Sequence, residues 1–160
     1  MTLLKLDSVV SGYDAILAVK SISLEVGEGE IVALIGSNGA GKTTTLRTIS
    51  GLVRCRSGSI AFAGDDLTKM QPHAIVKRGV SMVPEGRGIF HRLSVTENLH
   101  MGAYVRGRAD PEDLDRVFSL FPRLNRAYAA WCTGDGGKAL WDALALGAPV
   151  SALILQHVDW

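Results

Sequence analysis

The first thirty residues alternate. Leu4 and Leu6, then Val9 and Val10, and after them Ile22, Leu24 and Val26 set among Ser21, Ser23 and Glu25, place apolar side chains at every second position over short runs. Successive side chains of an extended chain point to opposite faces, so this period predicts strands with one buried face, of the antiparallel kind. Gly27 and Gly29 mark a turn. Residues 31–35 then form an unbroken apolar run, the pattern of a parallel strand covered on both faces. It leads into a glycine-rich stretch, and Lys42–Ile49, free of Gly and Pro, predicts a helix ended by Gly51.

Further along, residues 59–62 predict a strand closed by a Gly64–Asp65 turn, residues 71–78 a short helix capped by Gly79, and residues 80–83 another strand. Ser94 with Glu97 is a capping box, predicting a helix to about Met101. Asp110, Pro111, Glu112 and Asp113 supply a second helix with a cap, a proline at its first position and acids where the helix dipole favours them. Strands alternating with helices imply an α/β fold.

Composition changes near Ala127. Every Arg lies before it, whereas Trp131, Trp141 and Trp160 lie after it in a stretch rich in Ala and Leu, with a predicted helix over 138–146. At 160 residues and 47% hydrophobic, the chain can bury one ordinary core. A formal net charge of +1 gives no global field toward nucleic acid or an anionic membrane. Cys55 and Cys132 form neither a CxxC pair nor a metal cluster, which fits a reducing compartment. The N-terminus has an Asp in its apolar stretch and no small-residue cleavage site, and the longest uncharged run, 143–158, is short for a bilayer span. The chain therefore reads as soluble, with any membrane-spanning helices supplied by another subunit.

The chemistry is concentrated in GSNGAGKT, which fills the GxxxxGK[ST] pattern between an apolar strand and a helix start. Gly36, Gly39 and Gly41 are expected to let the backbone take positive φ angles and bring its amides close to phosphate, Lys42 would reach the β and γ phosphates, the Thr43 hydroxyl would ligate Mg²⁺, and Thr44 could hold an α-phosphate oxygen. The plain alternative is a flexible glycine turn before a helix. Tyr13 can stack on an adenine ring, and read alone it fits an exposed strand-end aromatic equally well.

With these residues the chain resembles the ATP-binding subunits of ABC transporters, especially those of branched-chain amino acid uptake. The resemblance rests on SGYDAILAVKSISLEVGEGEIVALIGSNGAGKTTTLRTISGL, SGSIAFAGDDL, GVSMVPEGRGIFHRLSVTENLHMG and RVFSLFPRL. It implies a P-loop NTPase fold: residues 1–126 as the N-terminal portion of an ABC ATPase, with an antiparallel β subdomain and an incomplete core sheet, and 127–160 as a divergent tail. It implies that Tyr13 stacks on adenine and that Gly36, Ser37, Asn38, Gly39, Ala40, Gly41, Lys42, Thr43 and Thr44 bind ATP with Mg²⁺. It also implies that Glu85 stands at the coupling loop, where most ABC ATPases have a Gln whose side-chain oxygen approaches Mg²⁺ and the attacking water; a solvated loop carboxylate is the alternative for that residue. The implied partners are transmembrane permease subunits and a second ATP-binding subunit, with no nucleic acid, on the cytoplasmic inner face of the plasma membrane.

The resemblance stops short of the hydrolytic parts. No intact LSGGQ signature, Walker B carboxylates or switch histidine is present. TGDGGK, residues 133–138, places Asp135 where the signature needs Ser, and the apolar run 152–155 is followed by Gln156 and His157, with Asp159 three positions late. The expectation is truncation or alteration after about residue 126, impaired turnover, and a marginal or aggregation-prone fold, because loss of the Walker B strand would leave residues 31–35 with an unpaired edge unless residues 151–155 fill the gap. A non-hydrolysing nucleotide-binding fragment is the alternative function. A small P-loop kinase would need an Arg-rich lid that Arg87 and Arg92 do not make.

Overall fold

In the computed structural model, residues 1–84, 89–107, 109–122 and 124 are described. Those up to Val83 belong to one compact unit and those from Pro84 onward to a second. The first is built on an antiparallel sheet of order β2-β1-β3-β4, formed by β1 (Thr2–Tyr13), β2 (Ile16–Gly27), β3 (Cys55–Phe62) and β4 (Asp65–Asp66). The short runs expected from the alternation are thus two twelve-residue strands joined by the two-residue turn Asp14–Ala15.

The parity of the apolar pattern changes between Leu6 and Val9, and the structure gives the reason. The pairing of β1 with β2 shifts register there, Ser8 takes a positive φ of 50°, and its amide donates to the Ser23 hydroxyl at 2.9 Å. The irregularity re-aims the strand, so Leu4, Leu6, Val9 and Ser11 are all buried despite the odd spacing. Against this face pack Ile49 of α1 (Lys42–Ile49), Ile75 of α2 (Pro72–Lys77), Leu67 and Val80, joined by Ile60 and Phe62 of β3 and Val26 of β2. Gly51 and Gly79 have the left-handed φ expected after α1 and α2, and Gly64 has it in the β3–β4 turn.

Two expected strands are absent. Residues 31–35 and 80–83 take no strand conformation, and Ile31 and Ile35 are 97% and 92% exposed. Apolar patterning supplies a side chain's preference for burial, but a strand also needs a neighbouring backbone to bond to, and none of the described residues offers one.

The second unit contains α3 (Val95–Gly102), a 3₁₀ turn (Tyr104–Arg106) and α4 (Pro111–Leu120). The capping box at α3 is as expected: the Ser94 hydroxyl accepts from the Glu97 amide at 3.2 Å, and the Glu97 carboxylate accepts from the Ser94 amide at 2.7 Å. That bond, with the Ser94 hydroxyl adding to it, holds the Glu97 carboxyl below its usual range. At α4 the Asp113 carboxylate accepts from the Asp110 amide at 3.0 Å and pairs with Arg106, and Arg106 is the main reason its pKa is depressed. Among the described residues no helix is long and apolar enough to cross a membrane. The predicted helix over 138–146, TGDGGK and the run 152–155 lie outside the described residues.

Candidate functional site

The glycine-rich stretch links the exposed segment 31–35 to α1, whose first residue is Lys42. Gly41 caps that helix in the left-handed region, φ 89°, and no side chain caps it. A Cβ on Gly41 would lie 2.4 Å from the Ala18 carbonyl oxygen of β2, so only glycine lets the helix start this close to the hairpin. No acidic residue occupies the first turn. The turn's amide donors and the positive end of the helix dipole are therefore left for an external anion.

The loop closes on the lysine. The Lys42 ammonium donates to the carbonyls of Gly36 and Ser37, each at 2.8 Å, and the Ala40 amide donates to the Ser37 carbonyl at 3.2 Å. Gly36, Ser37, Asn38, Gly39 and Ala40 are exposed, Gly39 with φ 84°, while Thr43 is half-buried and Thr44 buried in the first turn of α1. Gly36, expected to take a positive φ as well, does not; what its missing side chain spares is a close approach to Ala40, since a Cβ on Gly36 would lie 3.1 Å from that of Ala40. Thr45, not anticipated from the motif, fixes the turn: its amide and its hydroxyl both donate to the Gly41 carbonyl, at 2.8 and 3.0 Å. The TTT run was its only sequence signal.

Tyr13, at the end of β1, is brought to the same helix. Its ring is 42% exposed, and its hydroxyl accepts from the Arg47 guanidinium at 3.1 Å. That bond lowers the phenol's pKa, against a smaller opposing effect of burial, and the Thr44 hydroxyl lowers it further. Two residues before Tyr13, Ser11 is wholly buried, 2.7 Å from the Thr48 hydroxyl oxygen, and the Thr48 hydroxyl also lies 2.7 Å from the Thr44 carbonyl. The Thr48 proton is committed to Thr44, so Ser11 is the donor in the first bond. Nothing in the sequence singled out Ser11, Arg47 or Thr48; Arg47 follows Thr44 by three positions, which puts both on one helix face. Glu85 lies outside the described residues.

The profile of the family described as ABC transporter matches residues 19–136. The chain belongs to the ABC transporter family. Among curated proteins, it is 43% identical over 147 residues to the high-affinity branched-chain amino acid transport ATP-binding protein BraG of Pseudomonas aeruginosa, covering 91% of this chain and 62% of that one. It is 30% identical over 152 residues to a probable branched-chain amino acid transport ATP-binding protein, LivF, of Archaeoglobus fulgidus, covering 92% of this chain and 64% of that one. The chain thus spans less than two thirds of the length of either relative. Among solved structures, an ATP-binding subunit of an ABC transporter superposes with a TM-score of 0.64 at 30% identity, covering 78% of this chain and 52% of the other. A nucleotide-free ATP-binding cassette shares the fold at a TM-score of 0.63 and 19% identity, over 91% of this chain and 63% of that one. The fold is that of an ABC ATPase cassette in part, as the resemblance implied.

Proposed function

We propose that this ABC transporter family member is an ATP-binding component of a transporter that imports branched-chain amino acids. The observation that carries the reading is the loop itself: a left-handed glycine pressed on β2, a first helical turn without cap or acid, and Lys42 enclosed by the loop's own carbonyls. Lys42 would exchange those two carbonyls for phosphate oxygens, and the amides from Gly36 to Thr44 would line the chain of phosphates. The names of the two relatives support the choice of cargo.

The residues fit Mg²⁺ as carried by a nucleotide. Among the described residues no cluster of His, Cys, Asp and Glu could cage a bare ion, but Thr43 places a hydroxyl on the first turn beside the phosphate amides, the donor that a phosphate-bound Mg²⁺ takes. Thr43 would hold it, and the ion would screen the phosphate charge. Residues 1–126 are the portion we assign to the cassette, with 127–160 a divergent tail. The partners are permease subunits and a second ATP-binding subunit, and the place of work is the inner face of the plasma membrane. A dimeric cassette carrying ADP and phosphate, which shares this fold at 20% identity and a TM-score of 0.62 over 90% of this chain and 69% of its own, supports a paired arrangement.

Equilibrium dialysis with Mg·ATP tests the reading. The folded wild-type protein is expected to retain nucleotide, and Lys42→Ala to lose at least about tenfold in affinity, about 1.4 kcal/mol. No retention by wild type sinks the proposal. Steady-state ATPase measurement on the same material then separates a transporter ATPase from a fragment that binds without turnover.

A further inference from the structure

The turn that carries Tyr13 is held from two sides by arginines that the phosphate-loop motif does not include. Arg47, exposed on α1, donates to the Tyr13 hydroxyl at 3.1 Å, and Arg56, on β3, donates to the backbone carbonyl of Asp14 in the turn. The turn is tight: Tyr13 pairs with Ile16, Asp14 has a positive φ of 44°, and a Cβ on Gly12 would fall 2.0 Å from the Ile16 carbonyl oxygen. Below it, Ser11 is bonded to Thr48, whose hydroxyl reaches the Thr44 carbonyl one turn along α1. The end of β1 is therefore clamped to the helix that begins at the glycine loop.

We propose that Arg47 is a positioning residue for the nucleotide base: by fixing the Tyr13 hydroxyl against α1 it sets the exposed ring at a constant distance from the phosphate loop. The inference deepens the reading of this loop as an ATP site and rests on it. A ring tethered before binding loses less freedom on stacking, so the gain falls on the base and not on the phosphates. Two ligands separate these: Mg·ATP carries both parts, and Mg·tripolyphosphate only the second.

The test measures both affinities by calorimetry on the full chain for wild type, Arg47→Gln, Arg47→Lys and Tyr13→Phe. Arg47→Gln is expected to weaken Mg·ATP about 3- to 10-fold, the scale of the freedom one side chain loses on being immobilised, and to leave tripolyphosphate within about twofold. Arg47→Lys, which keeps a cationic donor, is expected to recover most of the loss. Tyr13→Phe removes the same bond from its other end, together with the hydroxyl's contact to Thr44, while keeping the ring, and must weaken ATP selectively as well. Its absorbance also serves as a blank, isolating the Tyr13 phenol titration, which is expected to move up in Arg47→Gln. Equal loss on both ligands, or no loss of ATP affinity in either Arg47→Gln or Tyr13→Phe, overturns the inference while leaving the phosphate site standing. Wild-type protein that retains neither ligand overturns the site and the inference together.

Discussion

Leu6 and Ile31 are aliphatic residues of one compact unit, Leu6 set between Lys5 and Asp7 and Ile31 opening an apolar run, yet Leu6 is wholly buried and Ile31 almost wholly exposed. The difference lies in their neighbours. Leu6 sits on β1, the central strand, opposite Leu24 of β2 and Ile60 of β3, and every pairing that strand needs is supplied by chain close in sequence or one helix away. Residues 31–35 have the more apolar pattern and no strand beside them among the described residues. An apolar run becomes a buried strand only where the backbone is also satisfied. The phosphate loop hangs between these two conditions: its C-terminal side is anchored on the sheet through Gly41, and its N-terminal side leads from the bare segment.

Substitutions can widen or erase that contrast. Phe62→Ala, in the sheet core, is expected to cost about 3–5 kcal/mol in urea unfolding, whereas Ile31→Ala is expected to stay within about 0.5 kcal/mol; comparable losses would show that Ile31 is buried in solution. Ile35→Lys is expected to raise solubility without lowering the midpoint, since it puts a charge on an exposed apolar segment.

Gly41→Ala attacks the anchored side of the loop. The left-handed geometry alone costs an alanine about 1–2 kcal/mol, and the overlap with the Ala18 carbonyl must move the helix start away from β2. We expect a stability loss of at least that size, with nucleotide affinity down tenfold or more; unchanged dialysis would contradict the assigned geometry. Ser11→Ala is milder. Thr48 keeps its bond to the Thr44 carbonyl, so the loss is that of one buried hydrogen bond, about 1 kcal/mol by denaturant titration.

The smallest effect is at the solvent face of the hairpin, where Lys5 faces Glu25 at 2.7 Å. The bond and charge of Lys5 lower the Glu25 pKa, and Glu25 raises that of Lys5. For Glu25, with a depressed folded-state pKa, the contribution is present above the ordinary carboxylate range and is lost as pH falls through the lowered value. For Lys5 it is present below the ordinary lysine range and is lost as pH rises through the raised value. Both groups are exposed, so the melting temperature should change only slightly at either limb. Glu25→Gln is expected to flatten both limbs, and an undiminished acid limb in that variant would assign it to other carboxylates.

Signals local to the chain were legible without coordinates. The capping box of Ser94 and Glu97, the acids and proline opening α4, the glycines after α1 and α2, and helix α1 itself depend on contacts a few residues apart, and the structure has each of them; the alternation marked β1 and β2 although their outer pairs lie far apart in sequence. What the sequence could not specify was long-range. It showed the parity shift after Leu6 but not the bulge at Ser8 that absorbs it, and it offered residues 31–35 and 80–83 as strands because patterning records a side chain's preference and not whether a partner backbone arrives. Arg47, Arg56, Ser11 and Thr48 carried no motif. Only the packing of β1 against α1 and the pairing of β3 with β1 gave them these partners, because a hydrogen bond between residues more than thirty positions apart leaves no period in the sequence.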